Sequence, residues 1–149
     1  MLIMISYTIY NRESEIESSM ESAVLDFLFH HLDAYGDARA DIQKAMDYAL
    51  GRKNSPGGYI LVAFDGNHIT GAVVINRTGM EGYIPENILV YIATHQEYRG
   101  QGIGQTLMKM AIDRVDGNIA LHVEPDNPAK KLYEKLGFTN KYLEMRLSK

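Results

Sequence analysis

Three glycines stand at alternate positions between an apolar run and a helix-forming segment. They are Gly100, Gly102 and Gly104, preceded by ILVYIAT (88–94) and followed by QTLMKMAIDRV. An almost continuous apolar run is typical of a strand that is covered on both faces. Glycines leave the main-chain N–H groups accessible, and a helix N-terminus attracts anions, so this order indicates a phosphate site. The alternative interpretation is a tight structural turn, which the glycines alone do not exclude.

The spacing of the glycines excludes two common nucleotide-binding loops. Dinucleotide-binding folds require G-x-G-x-x-G, whereas this loop has glycine at every second position. A P-loop requires Lys followed by Ser or Thr after its last glycine, and here Gln105 and Thr106 follow. A nucleotide-dehydrogenase function is therefore the weaker hypothesis.

Hydrophobic patterning along the rest of the chain predicts an α/β fold with mixed strand directions. The strands are expected at 5–10, 59–64, 68–75, 88–94, 118–123 and 138–147. The helices are expected at 15–32, around 42–49, at about 104–115 and from Asn127-Pro128 to Gly137. In the last helix Asn127 is placed as N-cap, Pro128 as the first helical residue and Gly137 as the C-terminal glycine.

Composition restricts the class of protein. The 149 residues predict a single domain, 1–149, and the net charge of −4 argues against a nucleic-acid partner. No apolar run is long enough to span a membrane, and MLIMISY does not read as a signal peptide, so we expect a cytoplasmic protein. Met4 is an alternative initiator to Met1.

The sequence predicts no metal site. There is no cysteine, and no two of the five histidines have metal-ligand spacing with an acidic residue on the same helical face. His95 and His122 are candidate proton shuttles, although surface or packing roles are the expected alternative.

Two segments carry a resemblance to a known family. YIATHQEYRGQGIGQTLM resembles the acyl-CoA-binding motif of the GNAT superfamily of N-acetyltransferases, whose core Arg/Gln-x-x-Gly-x-Gly/Ala corresponds to Arg99–Gly104. NPAKKLYEKLGF (127–138) is similar to the penultimate helix of the family and the Gly-Phe that follows it. The two matches cover residues 88–138, about a third of the chain, in the order that the family shows.

The resemblance implies a GNAT-like fold: a mixed, mostly antiparallel central sheet with helices on both faces and strands splayed at its centre. It also implies acetyl-CoA as acyl donor, with the amides of Arg99–Gly104 around the pyrophosphate and the main chain of Ile92, Ala93 and Thr94 along the pantetheine arm. The residues expected to contact the donor are Ile92, Ala93, Thr94, Arg99, Gly100, Gln101, Gly102, Ile103, Gly104, Gln105, Asn127 and Tyr133.

The implied activity is transfer of an acetyl group to a primary amine by direct attack in a ternary complex. Tyr133 corresponds to the family tyrosine that is believed to protonate the coenzyme A sulfur, and its alternative role is aromatic packing beside Leu132 and Leu136. A chain without cysteine has no thiolate for an acyl-enzyme, which fits direct transfer. The amine acceptor is not identified by the sequence.

The chain departs from the family pattern in its acidic residues. Many relatives carry a carboxylate on the strand before the glycine loop, where this chain has Tyr91. Glu81 and Glu86 precede that strand and are candidate bases or solvated loop acids. Asp33, Asp37 and Asp41 stand in the first interhelical loop, either to attract a cationic amine or as a solvated acidic turn.

Two further departures affect the ends of the site. Relatives place an asparagine seven residues before the tyrosine, whereas Asn127 lies six before Tyr133, so Asn127 is a candidate either for a coenzyme A contact or for the helix cap alone. Only eleven residues follow Phe138, so one wall of the acceptor site is expected to be missing or to come from a second subunit in a homodimer. A non-catalytic acyl-CoA sensor remains the alternative function.

Overall fold

The computed structural model describes residues 4–149, so Met1, one of the two candidate initiators, lies outside the described residues. Within that range the chain forms five strands and four α-helices. Their order is β1 (Ile5–Tyr10), α1 (Ser18–His31), α2 (Arg39–Ala49), β2 (Gly58–Asp65), β3 (His68–Arg77), β4 (Asn87–Thr94), α3 (Ile103–Arg114), β5 (Ile119–Leu121) and α4 (Ala129–Lys135). Single 3-10 turns lie at Asp33–Tyr35, Arg52–Asn54 and Gln96–Tyr98.

The strands form one sheet in sequence order, β1-β2-β3-β4-β5. The first four strands are antiparallel neighbours, and β5 pairs with β4 in parallel. The parallel pair requires a crossover, which α3 supplies. The prediction of a mixed, mostly antiparallel sheet is confirmed.

Helices cover both faces of the sheet, as predicted. One apolar cluster joins α1 and α2 to the sheet through residues such as Val24, Leu28 and Met46. A second cluster joins α3 to the opposite face through Leu107, Met108 and Ala111, together with Tyr133 of α4. The interior strand β2 is buried along almost its whole length because it is covered on both faces.

A bulge in β4 changes which face its side chains occupy. The register with β3 shifts between Val74, opposite Tyr91, and Ile75, opposite Leu89, so Val90 is the additional residue. Leu89 consequently packs on the α3 face, whereas Val90 and Tyr91 both pack on the face of α1 and α2. The bulge therefore directs Tyr91 toward the first interhelical loop.

Strands β4 and β5 are hydrogen-bonded to each other at one end and separate at the other. The side-chain amide of the buried Asn87 donates to the carbonyl oxygens of Asp116 and Asn118, at 2.7 and 3.2 Å. Glu86 Oε1 accepts from the Asn118 N–H at 2.7 Å. Strand pairing ends at Leu89 opposite Leu121, so beyond this point the edge of β4 that faces β5 has no neighbouring strand among the described residues.

The largest difference from the predicted elements is at the C-terminal end. The alternation in residues 138–147 predicted a closing strand, and that prediction is wrong: residues 139–149 form no strand and are exposed. Alternating side chains favour an extended chain, but a strand also needs a neighbour for its backbone groups. Strand β5 is shorter than the predicted 118–123 and forms an edge of the described sheet.

Candidate functional site

The glycine loop reverses the chain between β4 and α3. Gly100 and Gly102 have φ angles of +79° and +82°, a region that side chains disfavour, and a Cβ at either position would meet no atom within 4 Å. The backbone conformation, rather than crowding within the protein, therefore requires glycine at these two positions.

The main-chain N–H groups of this loop have no well-formed hydrogen bond to an acceptor within residues 4–149. From Arg99 to Gln105, none donates a hydrogen bond to another described residue, and the first bond of α3 runs from the Thr106 N–H to the Gly102 carbonyl. Free N–H groups at a helix N-terminus carry partial positive charge and bind anions. The free donors at the start of α3 therefore form an anion-binding surface.

Two side chains at the start of this loop form hydrogen bonds to neighbouring elements. The Tyr98 hydroxyl donates a 2.6 Å hydrogen bond to Asp65 Oδ2 in the β2–β3 hairpin, and this bond together with burial raises the pKa of Tyr98. Arg99 turns back toward the carbonyl oxygens of Thr94 and His31, at 3.4 and 3.5 Å. The guanidinium group therefore adds a positive charge beside the free amides.

A cavity of about 260 Å³ opens beside the loop. Its lining includes seven of the sequence-predicted donor residues, namely Thr94, Arg99, Gly100, Gly102, Ile103, Gly104 and Gln105. Tyr98 and Leu132 also line it, and neither was predicted from the sequence. A Cβ at Gly104 would lie 3.3 Å from Thr94 Oγ1, so glycine here lets the first turn of α3 approach the end of β4. Gln101 is exposed and lies outside this lining.

Successive residues of β4 direct their main-chain N–H and C=O groups to opposite sides of the strand. The His95 N–H donates to the Thr70 carbonyl at 2.8 Å. This bond determines which β4 residues are hydrogen-bonded to β3. Ala93 therefore directs its main-chain groups to β3, and Ile92 and Thr94 direct theirs into the gap beside β5. Of the three residues predicted to contact an extended ligand, two have main-chain groups on the open side.

Tyr133 is fixed by the way α4 ends. Gly137 has a φ of +103°, the Gly137 N–H donates to Glu134 O at 3.1 Å, and the Phe138 N–H donates to Tyr133 O at 3.0 Å. This pair of bonds is a Schellman motif, which brings the residue after the glycine back onto the last turn. The Phe138 ring accordingly lies 6.1 Å from the Tyr133 ring, between centroids. The sequence LYEKLGF thus specifies a helix end that orients the tyrosine.

The Tyr133 phenol is held in its protonated form. The side chain is 7% exposed and lies among the apolar residues of the α3 face, and burial raises its pKa. Its hydroxyl makes no side-chain hydrogen bond to another residue within 4–149. A protonated hydroxyl with no protein partner is suited to donate a proton to a developing anion. Its neighbour Leu132 lines the cavity described above.

Asn127 caps the start of α4. Its side-chain oxygen accepts from the Ala129 N–H at 2.9 Å, and its carbonyl accepts from the Lys130 N–H at 3.1 Å. The helix itself begins at Ala129, one residue beyond the predicted Pro128. The helix cap uses the side-chain oxygen of Asn127. Its side-chain nitrogen donates no hydrogen bond to a described residue.

The first interhelical loop lies between β4 and the β5–α4 connection. The Tyr91 hydroxyl donates to Asp37 Oδ2 at 2.5 Å, and the Tyr35 hydroxyl donates to the Asp126 carbonyl at 3.3 Å. Burial, and then the Asp37 carboxylate, raise the pKa of Tyr91, so Tyr91 stays a donor. Burial and the carboxylates of Asp126, Glu124 and Asp33 raise the pKa of Tyr35. The loop therefore contacts both sides of the gap and brings acidic groups to it.

The other acidic candidates lie elsewhere. Glu86 accepts main-chain hydrogen bonds from Asn118 and Gly82, which lower its pKa. Its carboxylate therefore joins the loop before β4 to the start of β5. Glu81 is exposed in the preceding loop. His95 Nδ1 accepts from the Glu97 N–H at 3.1 Å, and His122 is exposed just after β5.

A buried histidine lies next to the glycine loop. His31, the last residue of α1, is 9% exposed, and its ring centroid lies 4.2 Å from that of His95. Its Nδ1 has no hydrogen-bond partner among residues 4–149. Burial is the largest cause that lowers its pKa to about 4, and His95, His30 and Arg99 add to the effect. His31 is therefore neutral at neutral pH.

Two features are not found among the described residues. Nowhere in 4–149 do three side chains from His, Cys, Asp and Glu come together so that they could hold a metal ion. No helix in this range combines the length and the apolar character needed to cross a membrane.

Comparison with known proteins extends these observations. Residues 56–140 match the family model described as an acetyltransferase (GNAT) domain. The chain is 34% identical over 85 residues to N-alpha-acetyltransferase 30 of Schizosaccharomyces pombe (strain 972 / ATCC 24843), which is 54% of this chain and 57% of that protein. The matched region therefore spans little more than half the length of that curated relative.

Solved structures share the fold at low sequence identity. The ribosomal-protein-S18-alanine N-acetyltransferase of Escherichia coli superposes with a TM-score of 0.65 at 20% identity, over 90% of this chain and 78% of that one. The NatC complex bound to Gag peptide and CoA gives a TM-score of 0.67 at 20% identity, over 92% and 86% of the two chains. Because the family model covers more than half of the chain, this chain belongs to the GNAT family of acetyltransferases.

Proposed function

We propose that this protein transfers the acetyl group of acetyl-CoA to a primary amine by direct attack in a ternary complex. The observation that carries the proposal is the run of unbonded N–H groups from Arg99 to Gln105, which opens into a cavity beside the free edge of β4. An anion-binding surface and an adjacent unpaired strand edge together suit a ligand that has a diphosphate and an extended amide-containing arm.

The residues of the cavity fit such a donor. The free amides, with the Arg99 guanidinium, would hold the diphosphate, and hydrogen bonds to a charged group are worth about 1.5–3 kcal/mol each. The main-chain groups of Ile92 and Thr94 would pair with the amides of the arm, whereas Ala93 serves β3. When bound, acetyl-CoA supplies an acetyl group activated as a thioester.

Tyr133 is the proposed catalytic residue. Its hydroxyl is protonated and carries no hydrogen bond to a described side chain or carbonyl, so it is available to protonate a departing thiolate. Burial favours the neutral phenol, so the proton is in place when the thiolate departs. Packing against Phe138 would hold the hydroxyl in one orientation.

The acceptor amine is proposed to approach from the side of the first interhelical loop. A lysine-like amine with a pKa of about 10.4 must lose a proton before it attacks, at a cost of about 4.6 kcal/mol at neutral pH. Asp37 is exposed, lies against Tyr91 of β4, and has one oxygen fixed by that tyrosine. We propose that Asp37 binds the cationic amine. The identity of the base is not part of this proposal.

The relatives suggest which amines to test first. One is named an N-alpha-acetyltransferase, and one solved neighbour contains a peptide and CoA. Peptide N-termini are therefore the leading acceptors to test, followed by small cationic amines such as polyamines. A cytoplasmic location and a homodimer stay predictions.

The proposal is tested by thiol release from acetyl-CoA in the presence of peptides with free N-termini and a panel of small amines. Turnover with any amine, with mass spectrometry showing the acetyl group on nitrogen, supports it. If calorimetry shows that acetyl-CoA binds but no amine stimulates thiol release, the non-catalytic binding module is correct. If acetyl-CoA does not bind, both functions are wrong for this chain.

A further inference from the structure

His95 is the residue that joins β4 to the glycine loop. It follows β4 directly and precedes the 3-10 turn Gln96–Tyr98, which leads to Arg99. Its main chain is hydrogen-bonded on both sides. The His95 N–H donates to the Thr70 carbonyl at 2.8 Å, and the His95 carbonyl accepts from the Tyr98 N–H at 2.9 Å. The geometry at His95 therefore determines the direction in which the chain leaves the sheet.

The side chain of His95 caps the turn that follows it. Its Nδ1 accepts from the Glu97 N–H at 3.1 Å, which is the bond that a capping side chain makes to the second residue after it. An imidazole nitrogen accepts a hydrogen bond only when it carries no hydrogen, so the capping form is the neutral ring with its hydrogen on Nε2. A turn of three residues has few main-chain hydrogen bonds of its own, so one capping bond contributes a large share of its stability.

The ring of His95 packs between a core helix and the turn. Its centroid lies 4.2 Å from that of His31, the last residue of α1, and 5.6 Å from that of Tyr98, which meets it edge-on. His31 is buried, and Tyr98 is held in turn by its hydrogen bond to Asp65. These contacts fix the orientation of the imidazole and thus the direction of its Nδ1.

The glycine loop has little packing of its own. A Cβ at Gly100 or Gly102 would meet no atom within 4 Å, so no neighbouring element holds these residues in place from the side. The position of the loop therefore depends on its two ends, which are α3 and the turn that His95 caps. Arg99, at the His95 end, also lies 3.5 Å from the His31 carbonyl through Nη2. A binding surface made of free N–H groups binds an anion tightly only if it is already ordered, because ordering it costs free energy.

We propose that His95 is a positioning residue for the acyl donor. By capping the turn Gln96–Tyr98, it holds Arg99 and the free N–H groups that follow in the arrangement that binds the diphosphate. This inference rests on the proposed function, because it requires the glycine loop to bind the donor. The role differs from that of a proton shuttle, since His95 acts through the turn and its Nδ1 already accepts from Glu97.

The test separates the acceptor atom of His95 from its ring. His95→Asn keeps a capping acceptor without the ring, His95→Leu has a similar size without an acceptor, and His95→Phe keeps a ring without an acceptor. Calorimetry with coenzyme A measures donor affinity for each protein. We expect Kd to rise about 5- to 10-fold for His95→Leu and His95→Phe, as for the loss of one capping bond. For His95→Asn it should stay within about 2-fold of the natural value, because asparagine is a good cap. His95 is only partly buried, so these substitutions leave the core unchanged.

Steady-state kinetics distinguishes positioning from a general structural role. His95→Leu should raise KM for acetyl-CoA and leave kcat and KM for the amine unchanged, because Tyr133 lies on α4 and Asp37 in the first interhelical loop. The control is His68→Leu, which removes an exposed histidine from the start of β3 and should change none of these values.

Three results would overturn the role of His95. They are an unchanged Kd in both His95→Leu and His95→Phe, an equal loss of affinity in His95→Asn and His95→Leu, and equal changes in kcat and both KM values. The second would assign the effect to the ring, and the third to a general loss of structure. If the unmodified protein binds no coenzyme A, the proposed function is wrong and this inference is wrong with it.

Discussion

The hydroxyl of Tyr91 lies 2.5 Å from Oδ2 of Asp37, across 54 positions of sequence. Tyr91 lies on the strand before the glycine loop, and the hydrogen bond brings a carboxylate to it from the first interhelical loop. The bulge at Val90 makes this contact possible, because it turns Tyr91 to the face of α1 and α2. The Asp37 carboxylate therefore lies beside a strand that has no acidic residue of its own.

Replacing Tyr91→Phe should weaken acceptor binding and leave donor binding unchanged. The change removes a hydrogen bond to a charged group, worth about 1.5–3 kcal/mol, and frees Asp37 to move with its loop. We expect KM for the amine to rise by about 10-fold, and more for Asp37→Asn, with KM for acetyl-CoA constant. Steady-state kinetics with each substrate varied checks this.

The control for these variants is Asp113→Asn, which removes an exposed carboxylate from α3. It should change neither KM. An equal rise in the KM of both substrates for Tyr91→Phe would instead indicate a general loss of structure and would remove Asp37 from the proposed site.

Tyr133→Phe should lower turnover without affecting donor affinity. The ring and its packing on Phe138 remain, and only the proton donor is lost. General acid catalysis contributes about 10²–10⁴-fold in other enzymes, so we expect kcat to fall at least about 10-fold. Calorimetry with coenzyme A should give an unchanged Kd. Unchanged kcat would assign Tyr133 to packing alone.

Gly102→Glu should abolish donor binding while the domain stays folded. The new side chain would enter open space beside the free amides, where its negative charge opposes an anion. The control is Gly82→Glu, because Gly82 also has a positive φ, +74°, and open space, but lies in the loop before β4. The two variants share backbone strain and charge, so calorimetry should show binding only for the control. Micromolar binding to Gly102→Glu would contradict the placement of the diphosphate.

Gly137→Ala should destabilise the protein and misorient Tyr133. A left-handed conformation costs an L-residue about 1–2 kcal/mol, and Gly137 has a φ of +103°. For a domain of this size we expect the melting temperature to fall by several degrees, with a loss of kcat. Gly137→Asn should lose less, because asparagine tolerates this conformation better. Equal losses from both would point to contacts of the added side chain rather than to the backbone.

The stability of the protein should fall on acidification because of His31. Its pKa is lowered from 6.5 to about 4 in the folded chain, so between these values the unfolded chain binds more protons. Stability is therefore lost as the pH falls below about 6.5 and levels off below about 4. The loss between pH 7.5 and 5 should reach about 2 kcal/mol.

Urea unfolding at the two pH values measures this effect. The variant His31→Phe keeps an aromatic ring beside Phe27 and His95 and should lose less stability on acidification than the natural protein. The exposed His122, replaced by glutamine, should leave the pH dependence unchanged. The same loss in His31→Phe as in the natural protein would show that other groups cause it.

The elements that the sequence predicted well are those whose cause is local. Positive-φ glycines at 100 and 102 and the helix end at Gly137 depend on backbone sterics of a few consecutive residues, so the pattern alone locates them. The apolar faces of α1 and α3 likewise follow from periodicity. Tyr98 and Leu132 in the cavity lining had no such local signal, because their place depends on how the 3-10 turn Gln96–Tyr98 and α4 are positioned relative to each other.

By itself, the sequence determined the strand–glycine–helix unit, the amphipathic helices and the tyrosine-bearing helix, since each depends on side-chain size and backbone preference within one segment. Only the tertiary structure decided which carboxylate contacts Tyr91, which atoms of β4 face the gap, and that residues 139–149 pair with no strand among the described residues. Those outcomes depend on register, a bulge and the relative positions of distant segments. Hydrogen bonds between such segments are decided by packing geometry, which no local pattern contains.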